Sequence, residues 1–106
     1  MKMIRAIIRP ETVERVADAL VAIQPALTKI HAFGRGKTGG VHVGDVVYDE
    51  LPKTMLMIVV KDDDKEKVIK TIIEVGRTGK IGDGKIFVTD VEEVYTVRTG
   101  KAEKEV

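Results

Sequence analysis

The residues with the most chemistry to offer lie in one short stretch, TGKIGDGKIF, Thr78 to Phe87. Gly79, Gly82 and Gly84 leave the backbone free to turn tightly and to bring its N–H groups close to a ligand. A concave nest of such N–H groups binds phosphate without help from a helix. Lys80 and Lys85 add positive charge, and Asp83 is the one acid among them. The spacing Gly79-x4-Gly84-Lys85 nearly reproduces a phosphate-binding P-loop. Two features exclude that reading. Ile86 stands where a P-loop has the Ser or Thr that holds magnesium, and a helix precedes the segment while a strand follows it, the reverse of the P-loop order. Anion binding without hydrolysis remains, against the plainer reading of a glycine-rich connection with solvated lysines.

A second glycine-rich segment, GRGKTGGVHVGDVVYDELPK, runs from Gly34 to Lys53, with five glycines in its first eleven residues. A connection of this length in a small domain is usually functional or disordered. It reads either as a long hairpin whose middle, VHVGDVVY, forms two short strands, or as a mobile loop that contacts a ligand or partner. The two readings are compatible.

The elements that must position these segments follow from periodicity. In KMIRAIIR, residues 2–9, Ile4, Ala6 and Ile8 share one face of a strand. Pro10 suits a first helical turn, and Val13, Val16, Ala17 and Leu20 make an amphipathic stripe. Leu27 to Phe33 reads as a second strand. Thr54 to Val60, TMLMIVV, is apolar on both faces, as in a sheet covered on both sides. Asp62 and Asp63 are placed to cap a second helix, with Glu66 completing a capping box behind Asp63. Val68, Ile69, Ile72 and Ile73 give its stripe. Ile86 to Val91 forms a further strand, Val94 to Val97 a short extra one, and the charged tail KAEKEV is expected to fray. The order β-α-β-β-α-β is the ferredoxin-like, α+β pattern. Helices cover one face of such a sheet. The apolar second face of Met55 to Val60 has no cover within so short a chain, so association through it is expected.

Composition narrows the function. The 106 residues bound one compact domain, residues 1–106. A formal net charge of +1 argues against a general nucleic-acid surface. No apolar run reaches the roughly 18–20 residues of a membrane span, and the N-terminus lacks signal-peptide features, so a cytoplasmic protein is expected. Cys and Ser are absent, which removes thiolate metal sites, Cys nucleophiles and Ser–His–Asp hydrolysis. His31 and His42 lack metal-site spacing, so no metal site is expected from side chains.

RTGKIGDGKIFV, Arg77 to Val88, closely resembles the B-loop of the PII signal-transduction family. MKMIRAIIRPETVERVADAL resembles that family's N-terminal strand and helix, FGRGK at Phe33–Lys37 the start of its T-loop, LPKTMLMIVVKDD at Leu51–Asp63 the strand after it, and VEEVYTVRTG at Val91–Gly100 the end of the fold and the C-loop. The resemblance places a T-loop at about 35–52, a B-loop at about 78–86 and a C-loop at about 96–106. It implies a trimer of ferredoxin-like subunits with sheets facing inward. It also implies ATP or ADP in each intersubunit cleft, and 2-oxoglutarate beside magnesium-ATP at the T-loop base. Such proteins are sensors rather than enzymes. The residues carried over for nucleotide are Gly34, Arg35, Gly82, Asp83, Gly84 and Lys85, with Arg98 from a neighbouring subunit and Lys101 as a substitute for the family's first C-loop arginine, here Thr96. Those for 2-oxoglutarate are Lys37, Gly39, Gly40 and Lys53. His42, Tyr48 and Asp49 belong to the partner-binding loop.

Several positions differ from the common pattern. Gly36 replaces the glutamine that usually completes magnesium coordination, and Met57 replaces an acidic residue. Val46 occupies the usual tyrosine modification site, with Tyr48 out of register. Control by nucleotidylation or phosphorylation of the T-loop is therefore not expected. GRGK, YDELPKTMLMIVV and VEEVYTVRTG are similar to archaeal PII-like proteins encoded among nitrogen-fixation genes, and more to the first than the second of two paralogues. That likeness implies direct binding and inhibition of dinitrogenase, relieved by 2-oxoglutarate with ATP, by a homotrimer or by a mixed oligomer with a paralogue. Alternatives are a general PII protein acting on an ammonium transporter or glutamine synthetase, and a slow ATPase.

Overall fold

The computed structural model describes residues 1–23, 25–36, 41–48 and 50–104. Strand β1 (Lys2–Ile8) leads through a tight turn at Pro10–Thr12 into helix α1 (Val13–Ala19). Strand β2 (Leu27–Gly34), the short strands β3 (Val41–Val43) and β4 (Val46–Tyr48), and the long strand β5 (Leu51–Val60) follow. Helix α2 (Lys65–Gly76), strand β6 (Gly84–Asp90) and a terminal pair, β7 (Val94–Thr96) and β8 (Lys101–Glu103), complete the chain.

Four strands form one antiparallel sheet in the order β2-β5-β1-β6. Each βαβ unit therefore spans a strand contributed by the other half, the split arrangement expected from the element order. Ile4, Ile7 and Ile8 of β1 and Thr54, Ile58, Val59 and Val60 of β5 are β-branched, which suits a pleated, half-buried surface.

Alternation divides the sheet. Ile4, Ala6 and Ile8 of β1 and Leu56, Ile58 and Val60 of β5 are buried beneath the helices, against Val13 and Val16 of α1, Leu20 just after it, and Val68 and Ile72 of α2. The helices touch closely at Gly76, where an added methyl would stand 3.7 Å from Val16. The opposite face carries Met3, Arg5 and Ile7, Met55, Met57 and Val59, Ile30, and Phe87. The last two are 38% and 51% exposed. Among the described residues no element covers that apolar face, as the two-faced pattern of β5 predicts.

Three expectations need correction. No side chain caps α2: Asp62–Asp64 wind into a 3-10 turn, and Asp64, at the cap position, already has helical dihedrals rather than the extended ones a capping residue needs. The stripe of α2 is narrower than its sequence, because Ile73 is 45% exposed. The start of the tail does not fray: Lys101–Glu103 pairs with Val94–Thr96 across a turn closed by Gly100 N–H on the Thr96 carbonyl at 2.8 Å.

Candidate functional site

The segment between α2 and β6 is organised around the carboxylate of Asp83. Helix α2 ends with the Arg77 N–H bonded to the Ile73 carbonyl at 3.1 Å, and the chain then turns back on itself. Asp83 Oδ2 accepts from the backbone N–H of Thr78 and of Gly79, both at 2.9 Å. Its Oδ1 accepts from the Thr78 hydroxyl at 2.5 Å and from Arg9 Nε at 3.1 Å. The Thr78 hydroxyl also accepts from the Lys80 N–H at 3.2 Å. These donors, the Thr78 hydroxyl first, hold the Asp83 carboxyl well below the usual carboxylate range.

Two cations from the sheet grip the far side of the turn. Arg9 Nη2 donates to the Ile81 carbonyl at 2.9 Å, and Lys53 Nζ donates to the Gly82 carbonyl at 2.5 Å. The peptide bonds of the described residues are all trans. A planar trans peptide points its N–H opposite its carbonyl, so the Gly82 and Asp83 N–H groups are turned away from the two cations. Partial burial and the neighbouring Arg9 charge push the Lys53 amine below its usual value. Two cations in contact with one turn make a spot that favours an anion.

The glycines have distinct reasons here. Gly84 has φ of 113°, and an added Cβ would sit 1.8 Å from the Ile7 carbonyl oxygen, so only glycine lets β6 start against β1. Gly82 has φ of 101°, with Arg9 Nη2 only 3.3 Å from where a Cβ would be.

The segment is not a P-loop, because α2 precedes it and β6 follows it. Beside it, between α2 and β6, lies an apolar hollow of about 470 Å³ walled by Ile8, Ile69, Ile72, Ile73, Ile86 and Val88, with Arg77, Asp83 and Lys85 at the loop end.

Of the residues singled out in the sequence, Gly82, Asp83, Gly84, Lys85 and Lys53 come together. Gly34 joins them, since Lys53 Cγ lies 3.3 Å from where a Gly34 Cβ would be, and Arg35 follows it, exposed. Arg98 and Lys101 do not join them within one chain. They lie on the β7–β8 hairpin, which pairs with itself and leaves from the Asp90 end of β6, the end opposite Gly84. His42 and Tyr48 fall on β3 and β4, opposite Val47 and Val41. Lys37, Gly39, Gly40 and Asp49 lie outside the described residues. Sequence reasoning missed Arg9 and Thr78. Alternation puts Arg9 on the face of Arg5 and Ile7, but only the pairing of β1 with β6 brings it to the loop.

The profile of the family described as Nitrogen regulatory protein P-II matches residues 1–101. The chain belongs to the P-II family. It is 63% identical over 100 residues to Nitrogen fixation nifHD region GlnB-like protein 1 of Methanothermobacter marburgensis, covering 93% of this chain and 95% of that one. It is 58% identical over 102 residues to Nitrogen fixation nifHD1 region GlnB-like protein 1 of Methanosarcina barkeri, covering 95% and 97%. With Nitrogen regulatory protein P-II 2 of Methanothermobacter thermautotrophicus identity is 45% over 109 residues, covering 98% and 95%. Likeness to the first nif-region paralogue agrees with the P-II subgroup expected from GRGK and VEEVYTVRTG. No helix among the described residues is long and apolar enough to cross a membrane, and among them no cluster of His, Asp or Glu has the arrangement of a metal site.

Proposed function

We propose that this P-II protein is a sensor that binds ATP or ADP and 2-oxoglutarate, and that it regulates nitrogenase by binding dinitrogenase through the segment at 35–52. The observation that carries the nucleotide part is the cation-gripped loop. The carboxylate of Asp83 is neutralised by Arg9, the Ile81 and Gly82 carbonyls are held back, and the Gly82 and Asp83 N–H groups face away from them. Phosphate suits such donors, with Lys85 and the guanidinium of Arg35 adding charge. Gly34, Gly84 and Lys85 complete the near side. Arg98 and Lys101 act from a second copy of the chain, since their hairpin stands away from the loop of their own.

The open apolar face supports that assembly. Three sheets facing inward would bury Met55, Met57 and Phe87, which the described residues of one chain leave partly or largely exposed. A mixed oligomer with a second P-II paralogue would bury the same face. Magnesium enters as part of the ATP complex. Both oxygens of Asp83 already accept two donors each, so the metal is held by phosphate oxygens and not by this side chain.

Lys53 supplies the ammonium for a carboxylate of 2-oxoglutarate, together with Lys37, Gly39 and Gly40. Its contact with the Gly82 carbonyl gives the two ligands a common element: the three donors of the Lys53 ammonium serve the loop carbonyl and a ligand carboxylate together, so each ligand favours the Lys53 position that the other uses. The Asp83 carboxylate is occupied by its donors and is not free to activate a water, which supports a signal protein over an ATPase. Calorimetry with ATP, with and without 2-oxoglutarate, tests the reading. Binding of ATP that strengthens with 2-oxoglutarate is the expected result; no binding at millimolar ATP overturns it.

A further inference from the structure

We infer that the Asp83 side chain and Arg9 form a positioning pair that holds the phosphate-binding loop in shape before any ligand arrives, and that the Asp83 carboxylate makes no contact with the nucleotide. This rests on the nucleotide-binding reading of the loop and assigns a different job to one of its residues.

A carboxylate inside an anion-binding turn opposes the ligand unless its charge is used elsewhere. Here it is used in full. Both oxygens of Asp83 take two donors each, and three of the four come from Thr78 and Gly79, across the mouth of the turn. The side chain satisfies N–H groups of the turn that follows α2, the local side-chain-to-backbone bonding that aspartate favours in turns. The fourth donor, Arg9, ties the turn to β1.

Arg9 acts at two points. Nε meets Asp83 and Nη2 meets the Ile81 carbonyl. A planar guanidinium spans both, whereas an ammonium is a single point. Arg9 thereby neutralises the carboxylate and rotates the peptide between Ile81 and Gly82 so that its N–H faces away. The Asp83 side chain is 23% exposed and that of Arg9 21%, which leaves the pair partly shielded from water. The depressed Asp83 carboxyl agrees with this arrangement.

The test uses full-length protein without nucleotide, then with ATP. In Asp83→Ala the Thr78 and Gly79 amides are expected to exchange with solvent about tenfold faster, the scale of losing a hydrogen bond to a charged group. Amides of Ile4 and Leu56 in the sheet should keep their rates. Arg9→Lys should loosen the same two amides and weaken ATP about tenfold by the same measure. Thr78→Val, a milder change that keeps the backbone N–H, should loosen Gly79 by about threefold and serves if Asp83→Ala fails to fold. Unchanged Thr78 and Gly79 exchange in nucleotide-free Asp83→Ala, with ATP affinity lost, would make Asp83 a direct ligand contact and overturn the proposal. Faster exchange with full ATP affinity would overturn it too. Should the unaltered protein bind no ATP, the nucleotide reading fails, and the exchange rates still decide whether the pair shapes the loop.

Discussion

Two glycine-rich segments of this chain look alike as sequence and differ as structure. Thr78–Lys85 is tied to the body at several points: Asp83 to Arg9, Ile81 to Arg9, Gly82 to Lys53, and Gly84 against Ile7. The hairpin of β3 and β4 pairs only with itself in the sheet pattern. Gly44, at its turn, has φ of 60° and, among the described residues, no neighbour within 4 Å of where a Cβ would stand. Glycine in the first segment permits close approach of two strands. In the second it permits a reversal in open space. The same residue type thus marks a fixed cradle in one place and an arm in the other, and the neighbours decide which.

The largest effect that would break this contrast is at Gly84. Gly84→Ala drives a methyl into the Ile7 carbonyl and holds a strained φ, so it should destabilise the fold by about 3 kcal/mol or more, measured by urea unfolding. Gly44→Ala meets no atom, so only its left-handed backbone costs, about 1 kcal/mol within the hairpin, and the global unfolding midpoint should not move. Equal losses at both glycines would erase the distinction.

Next in size are the charges at the cradle. Lys85→Ala or Arg35→Ala should weaken ATP binding by about 1–3 kcal/mol, the usual scale for a hydrogen bond to a charged group. Unchanged affinity in calorimetry would count against the loop as the phosphate site. Deleting residues 39–47 should shift ATP affinity and the unfolding midpoint little, yet abolish inhibition of dinitrogenase. If the shortened protein still inhibited, the arm would not be the effector.

The contrast also explains what could be read from the sequence. The strands and helices were legible because alternation in KMIRAIIR and the stripe of Val13, Val16 and Leu20 are local patterns. The open sheet face was legible because Met55 to Val60 is apolar at every position. The loop glycines were legible as a tight turn from residue type alone, and Gly79, Gly82 and Gly84 all have positive φ. Arg9, Lys53 and Asp83 as a connected set were not, since they lie 74 and 29 residues apart along the pairs that join them to the turn. Only strand pairing brings them together. The cap at Asp62 and Asp63 misled because the rule is local, while the entry to α2 is set by a turn that begins one residue earlier, at Lys61.

The smallest effect concerns pH and tests whether the cradle is held by charge. The folded Asp83 carboxyl lies below the ordinary range. A group with a depressed folded value contributes stability that is complete above its unfolded value, about 3.9 for aspartate, and is lost as pH falls through the folded one. The difference in stability between the unaltered protein and Asp83→Asn should therefore stay constant from neutral pH down to about 5 and narrow below about 4. The β3–β4 arm has no such contact among its described residues, so its removal should leave that pH profile unchanged. A gap that narrowed near neutral pH would show that a group other than Asp83 holds the turn, and the fixed character of the cradle would need another cause.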